Sequence, residues 1–436
     1  MSSTRERALL RLLQGGNHAR GPFLERSWRG ARFGTVCANV VRTRDGTPLF
    51  PPYAIKTVDG IALAFIGAVT AGAPAIVSPS GRAGLRFLDE AESINAQVRA
   101  LRARQVRAII VLIHEGGRQK PYSGPTDPRA AAPDGAIARI VSRLDDEVDL
   151  VISGHTHAFT NALLPNARRR PVLVTQAFSA GTAYARIELT LDRASGDVVE
   201  RSATIATTWA DEGPGTTPDP AAAELIARAE AAVAPRVNVV VGTSASDVSN
   251  ERSPAGESAL GDLVADAHRA ALGTELAFVN AGGLRAELRA GPVRWGDLFA
   301  IEPFGNVLVR VELTGRQVLQ VLERQWADPA RPHFLQVSGL SYAWDVSRPH
   351  GRRVVDVRCG GAPLEPDRRY SVALSDYLAS GVEQFAGLET KPLARGPLDV
   401  DAFAAYLRAL PQPFSAPPVQ RIARRAAQPA GASDSR

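Results

Sequence analysis

A chain of 436 residues is longer than one ordinary core supports, and two domains are the working expectation. The 51 Lys+Arg outnumber the 45 Asp+Glu, but the basic residues are nearly all arginine and scattered, which argues against a nucleic-acid stripe. Two distant cysteines, Cys37 and Cys359, point to neither a disulfide framework nor a cysteine metal site, and no apolar run reaches the ~18 residues of a membrane span.

In chain order, the opening MSSTRERALLRLLQ lacks the apolar core and cleavage site of a secretory signal. It reads as a charged amphipathic helix capped by Ser3 or Thr4, with Ala8, Leu9, Leu12 and Leu13 on one face. From Ile61 to Ile152 strand and helix patterns alternate. IALAFIGA is a strand, AESINAQVRALRAR a helix, VRAIIVLIHEGG a buried strand, GAIARIVSRLDDE a helix, and VDLVISGHTH another buried strand. This is an α/β layer architecture, and PVLVTQAFSAGTAYARIELTLD reads as strands completing the sheet. A Gly/Pro/Thr-rich break then runs into an Ala-rich helix from about Ala221 to Val233. The domains are therefore placed at 1–210 and 236–425, with a linker and connecting helix over 211–235 and a disordered tail over 426–436. The second domain mixes strands and helices, opening with the strand VNVVVGTS and the helix ESALGDLVADAHRAAL.

Two strand ends carry the strongest chemical signal. SGHTH delivers His155 and His157 into a loop at the carboxyl end of a buried strand, where open α/β sheets build their sites. Imidazoles at that spacing can each offer a neutral nitrogen to a metal ion, although a pair of loop histidines is the bland alternative. VLIHEGG repeats the arrangement with His114, and Gly116 and Gly117 let the backbone pass close to a neighbour. In the second half, FVNAGGLRAEL ends a strand in Asn280, Gly282, Gly283 and Arg285, where Arg supplies a planar fork for phosphate or carboxylate. Phe304 and Asn306 occupy one turn, and Tyr377 and Glu383 another. Two such aromatics can sandwich a planar base while Asn and a carboxylate read its edges or a ribose; either aromatic alone reads equally as core.

With these residues in hand, the chain from about Ala31 to Arg425 resembles the 5′-nucleotidase and 2′,3′-cyclic phosphodiesterase family of dinuclear metallophosphatases. GIALAFIGAVT, VLIHEGG and SGHTH are similar to the latter part of a calcineurin-like catalytic domain; GESALGDLVADA, NAGGLR, GDLFAIEPFGN and LTGRQVLQVLE are similar to the C-terminal substrate domain. The resemblance implies a partial metallophosphatase β-sandwich with flanking helices, followed by a mixed α/β substrate domain. It implies nucleotide phosphoester hydrolysis, with paired divalent ions such as Zn or Mn activating water for in-line attack. It implies that His114, His155 and His157 are metal ligands and that Phe304 and Tyr377 stack the base. Asn280, Gly283, Arg285, Asn306 and Glu383 would surround the nucleotide. The family's usual location is periplasmic or extracellular. Where the family has Gly-Gly-Asp-Gly, this chain has Gly381, Val382, Glu383 and Gln384, which alters base or ribose contacts.

The family's Asp-x-His strand end, its Gly-Asp loop and its Gly-Asn-His-Glu loop should precede the matched region, and only the first ~30 residues do so here, too few for the βαβ units those loops need. Asn17 and His18 have two readings. They are a ligand loop, or they are the loop beyond the helix that normally follows one; the helical pattern before them and Gly21-Pro22 after them favour the second. The expectation is an amino-terminally truncated catalytic half holding one metal ion or none, with weak or no turnover. The alternative is a nucleotide- or nucleoside-binding protein that uses the C-terminal domain without hydrolysis.

Overall fold

The first half of the chain is built on a six-stranded sheet whose strands follow from its apolar runs. The computed structural model describes residues 33–77, 82–120, 122, 124–209, 216–327, 332–386 and 391–425; the expected amino-terminal helix, Asn17, His18 and the tail lie outside them. The sheet contains β1 (Tyr53–Val58), β2 (Ile61–Val69), β3 (Ala108–His114), β4 (Val148–Ile152), β5 (Phe159–Pro165) and β6 (Pro171–Ala177), in the order β1-β2-β3-β4-β6-β5. β2, β3, β4 and β6 are parallel, and β1 and β5 close the edges antiparallel.

A parallel strand is covered on both faces, so it needs apolar side chains at successive positions. β3 does this. Ile109, Val111 and Ile113 enter the core shared with helices α1 (Glu90–Ala103) and α2 (Ala136–Val141), while Ile110 and Ala108 enter the opposite core. That opposite core is closed by an antiparallel ribbon, β7 (Ala183–Leu191) with β8 (Val198–Thr207), through Ile187, Leu189, Val198 and Ala203. Helices on one face and a ribbon on the other make the layered sandwich expected. Two details differ from the sequence reading. β7 does not extend the main sheet but turns away to pair with β8. The helix expected through Glu147 ends at Val141, because Arg143 N–H and Leu144 N–H bond to Ile140 and Val141 carbonyls three residues back; this tighter turn carries Leu144 into the core.

The chain divides into two compact units, Met1–Ala223 and Glu224–Arg436. The second begins within the helix α3 (Pro220–Val237), none of whose residues is buried. β9 (Val240–Ser244) leads to α4 (Ala259–Leu272). Ser258 caps α4 by accepting from Gly261 N–H at 3.1 Å, and Gly273 ends it in the left-handed region at φ 57°. β10 (Leu276–Asn280) follows, then β11 (Gly291–Arg294), which pairs with β9, and α5 (Trp295–Ile301). Next come β12 (Val307–Thr314), α6 (Gly315–Glu323), β13 (Leu335–Ser338), β14 (Leu340–Asp345), β15 (Val354–Cys359), β16 (Arg369–Ser375), β17 (Ala394–Leu398), α7 (Asp399–Ala409) and β18 (Ile422–Arg425).

The unit's main sheet has the order β13-β10-β16-β12-β17, with β10 and β16 parallel and the other neighbours antiparallel. α4, α5 and α7 pack in one core with Leu263, Val264, Leu298 and Phe403; α6 and β14 pack in another with Phe278, Trp326 and Phe385. Parallel pairing of β10 with β16, and antiparallel pairing of β12 with β16, bring Asn280, Ser375 and Val307 to one edge of the sheet. Cys37 and Cys359 are free thiols, each buried in a different unit.

Candidate functional site

The first constellation lies at the carboxyl edge of the six-stranded sheet. Because β3 and β4 are adjacent and parallel, His114 at the end of one and the 153–157 loop after the other emerge side by side. His155 Nδ1 lies 3.3 Å from His114 Nε2, and the rings meet edge-on with centroids 5.0 Å apart. Two nitrogens this close cannot both carry protons without repulsion. Burial, with the neighbouring His155, lowers the His114 pKa and favours the neutral form that ligates metals. His157 is exposed, and no hydrogen bond joins it to the other two among the described residues.

The loop is held in a costly shape. His155 and His157 have φ of 71° and 53°, a left-handed conformation that costs a side-chain-bearing residue about 1–3 kcal/mol. Its scaffold is polar and buried: Thr156 Oγ1 donates to Gly117 O at 2.8 Å, and Gln176 Nε2 donates to Ala158 O at 2.7 Å. Gly116 is required here, since a Cβ would meet the Gly154 carbonyl, the Gln176 amide and the Thr156 hydroxyl. The close neighbour anticipated for the glycine pair is thus the second histidine loop.

The second constellation lies within the other unit. Asn280 ends β10, and Tyr377 lies in the helical turn Asp376–Ala379 that follows β16. Both reach Glu383: the Tyr377 hydroxyl donates to Glu383 Oε1 at 3.1 Å, and Asn280 Nδ2 donates to the same oxygen at 3.4 Å. Burial pushes the Glu383 carboxyl above its usual range, and these two donors oppose the rise. Burial, and next the Glu383 charge, push the Tyr377 phenol up as well. A cavity of about 630 Å³ adjoins them, lined by Asn250, Arg252, Gly282, Arg285, His333, Phe334 and Glu383 among others. Arg285 donates to Gly282 O at 3.1 Å, and Gly283 packs on the Asn280 amide.

Phe304 and Asn306 do not line that cavity; they occupy the adjoining turn before β12, with Phe304 60% exposed. Asn306 Nδ2 donates to Asp399 Oδ2 at 2.9 Å, and Val307 N–H donates to Asp376 Oδ1, which ties this turn to the one bearing Tyr377. Sequence reasoning missed Asn250, Arg252, His333 and Phe334. They lie in the segments 249–258 and 332–334, which have no periodicity; the only signal was the polar run SNERS between a strand and a capped helix.

The family description "5′-nucleotidase, C-terminal domain" matches residues 240–390. The chain is 32% identical to Endonuclease YhcR of Bacillus subtilis over 93% of its own length, and 30% identical to Cell wall protein Lmo0130 of Listeria monocytogenes over 86%. It spans 32% of the first protein and 50% of the second. The crystal structure of a 5′-nucleotidase precursor from Thermus thermophilus superimposes with a TM-score of 0.74 at 29% identity, covering 91% of this chain and 80% of that one. Residues 240–390 belong to the 5′-nucleotidase C-terminal domain family, and the chain as a whole is similar to 5′-nucleotidases.

The proteins the chain is similar to include 5′-nucleotidases, which hydrolyse phosphoesters, and the resemblance read from the sequence implies a divalent-metal centre. The donor chemistry of His114 and His155 fits part of such a centre: two imidazoles converge where the end of β3 meets a loop braced by the Thr156–Gly117 and Gln176–Ala158 hydrogen bonds. Among the described residues, no group of three or more His, Cys, Asp or Glu side chains is placed to hold an ion.

Proposed function

We propose that this chain is a metal-dependent phosphoester hydrolase acting on small nucleotides, of the 5′-nucleotidase or 2′,3′-cyclic nucleotide type. The observation that carries the reading is the cavity in the second unit, lined by Arg252, Arg285 and Glu383, with Tyr377 and Asn280 bonded to Glu383 beside it. Arginine forks suit phosphate oxygens, a carboxylate suits ribose hydroxyls, and an aromatic turn at the same sheet edge suits a base. On this reading Phe304 and Tyr377 stack the base while Asn280, Gly283, Arg285, Asn306 and Glu383 contact the nucleotide.

His114, His155 and His157 are the proposed metal ligands in this chain. A bound divalent ion supplies Lewis-acid polarisation of the phosphoryl oxygen. The protein's own share is binding and orientation: the strained histidine loop and His114 present imidazole nitrogens, and the cavity arginines offset phosphate charge. A location outside the cytoplasm goes with this reading, supported by the cell wall protein among the relatives. Small nucleotides are favoured over nucleic acid by the scattered basic residues and by the cavity's size.

A second reading, nucleotide binding without turnover, is favoured by the incomplete donor set among the described residues. Calorimetry with AMP and adenosine, with and without Mn²⁺, combined with product assays on AMP, 2′,3′-cyclic AMP and bis(p-nitrophenyl) phosphate, separates the two. Metal-stimulated product supports the hydrolase. Binding that disappears in Phe304→Ala or Tyr377→Ala, with no product from wild type, supports the binding protein. Absence of both binding and product removes both readings.

A further inference from the structure

Behind the exposed turn carrying Phe304 lies a buried polar group that the proposed site does not use. Asp399, the first residue of α7, is 2% exposed and contacts Asn306 through three hydrogen bonds. Its Oδ2 accepts from the Asn306 side-chain amide at 2.9 Å and from the Asn306 backbone N–H at 3.2 Å. Its own N–H donates to Asn306 O at 2.9 Å. The other carboxylate oxygen accepts from Val400 N–H at 2.8 Å. Two further buried titratable groups stand beside it: Glu302, at the end of α5, and His268 of α4, whose Nε2 lies 3.1 Å from Glu302 Oε1.

The consequence concerns which way Asn306 faces. An asparagine amide has a donor edge and an acceptor edge, and an ionised carboxylate can only accept. Asn306 must therefore turn its NH₂ toward Asp399 and leave Oδ1 on the other side, where no hydrogen bond reaches it among the described residues. Phe304 and Gly305, the latter at φ 62°, complete the turn. A base stacked on that turn meets an acceptor, which pairs with an exocyclic amino group and opposes a carbonyl.

We propose that Asp399 is a positioning residue that sets base preference: by fixing the orientation of the Asn306 amide it makes the site select amino-bearing bases over oxo-bearing ones. The inference rests on the nucleotide reading of this sheet edge. An Asp399→Asn change keeps its amide oxygen at the position where the Asn306 backbone N–H and side-chain amide both donate, whereas Asp399→Ala removes the acceptor and frees the Asn306 amide to turn either edge outward.

The experiment compares the affinities of the full chain for AMP and inosine 5′-monophosphate by calorimetry at pH 8, above the value of about 6 to which burial and Glu302 raise Asp399, so that its carboxyl is ionised. Wild type is expected to prefer AMP, and Asp399→Ala to shift the ratio toward inosine monophosphate by about tenfold, the worth of one mismatched hydrogen bond. Asp401→Asn, on the same helix but engaged with Trp295 and Arg236, is expected to leave the ratio unchanged. A general loss of stability weakens both nucleotides alike and does not move a ratio. An unchanged ratio with binding retained overturns the assignment to Asp399 alone. Binding of neither nucleotide by wild type defeats the reading of the site and the selectivity with it. Should Asp399→Ala lack a cooperative melting transition, exchange of the two Asn306 side-chain amide protons in wild type decides. One proton exchanging about tenfold more slowly than its partner supports the clamp; equal rates overturn it.

Discussion

Arg252 and Arg285 are the residues whose chemistry is most easily separated from their packing, because both are exposed at the mouth of the cavity in the second unit. If they meet phosphate, their loss distinguishes a nucleotide from a nucleoside. Arg285→Ala is expected to lower AMP affinity by about tenfold or more, the usual worth of a charge-assisted bond, while adenosine affinity stays within about twofold. Equal losses for both ligands, measured by calorimetry, would mean that the arginine shapes the cavity and does not read charge. The histidines allow a similar dissection. His155→Ala removes one of the two nitrogens that lie 3.3 Å apart, whereas His157→Ala removes an exposed ring with no such neighbour. In a Zn²⁺ titration His155→Ala should weaken binding by about tenfold or more and His157→Ala by less. Equal effects would restore His157 to the same standing as the other two.

At the scale of elements, the decisive contact joins the loop after β3 to the loop after β4. Gly116 fits against the Gly154 carbonyl and the Thr156 hydroxyl with no room for a methyl group. Gly116→Ala is therefore expected to cost about 1–3 kcal/mol of stability through overpacking, and to weaken Zn²⁺ binding because it separates His114 from His155. Urea unfolding and the same metal titration check the two halves; a variant as stable as wild type would show that the loops are free to part. Much of this was legible in the sequence, because parallel strands buried on both faces write unbroken apolar runs and the histidines stand at their ends. The left-handed backbone at His155 and His157 left no trace, since the Gln176 and Gly117 contacts that hold it come from distant segments. Arg252 and His333 were invisible for the same reason: non-local folding alone brings residues 252, 285, 333 and 383 to one cavity. The departure of β7 from the main sheet was equally unreadable, because strand alternation fixes which faces are apolar and not which neighbour covers them.

For the whole molecule, buried carboxyls set how stability responds to pH. Burial raises Asp149 in the first unit to about 7, against the opposing pull of Ile109 N–H and Arg201. In the second unit burial, followed by a shared proton with Glu257, raises Asp262 to about 9, while burial and Glu302 raise Asp399 to about 6. Each has an ordinary value of 3.8, so between that pH and the raised value the folded chain holds a proton that the unfolded chain has lost. The sign follows from linkage. These groups contribute their full stability below about pH 4 and lose it as pH rises toward the folded value, at about 1.4 kcal/mol per pH unit for each proton involved. Asp262 has the widest window. It is fully buried on α4, and neither carboxylate oxygen has a hydrogen-bond partner unless the carboxyl itself is protonated. Asp262→Asn keeps the shape and can donate to Glu257 without taking up a proton, so its stability should be flatter with pH. Three of the five tryptophans, Trp295, Trp326 and Trp344, are buried in this unit, and among the described residues of the other unit Trp209 is 63% exposed, so tryptophan fluorescence reports mainly on the unit that carries Asp262. Urea titrations from pH 5 to pH 8 are expected to show wild type losing stability relative to Asp262→Asn at every step; parallel curves would mean that Asp262 is ionised in the folded chain, held by Arg421 instead of by a proton.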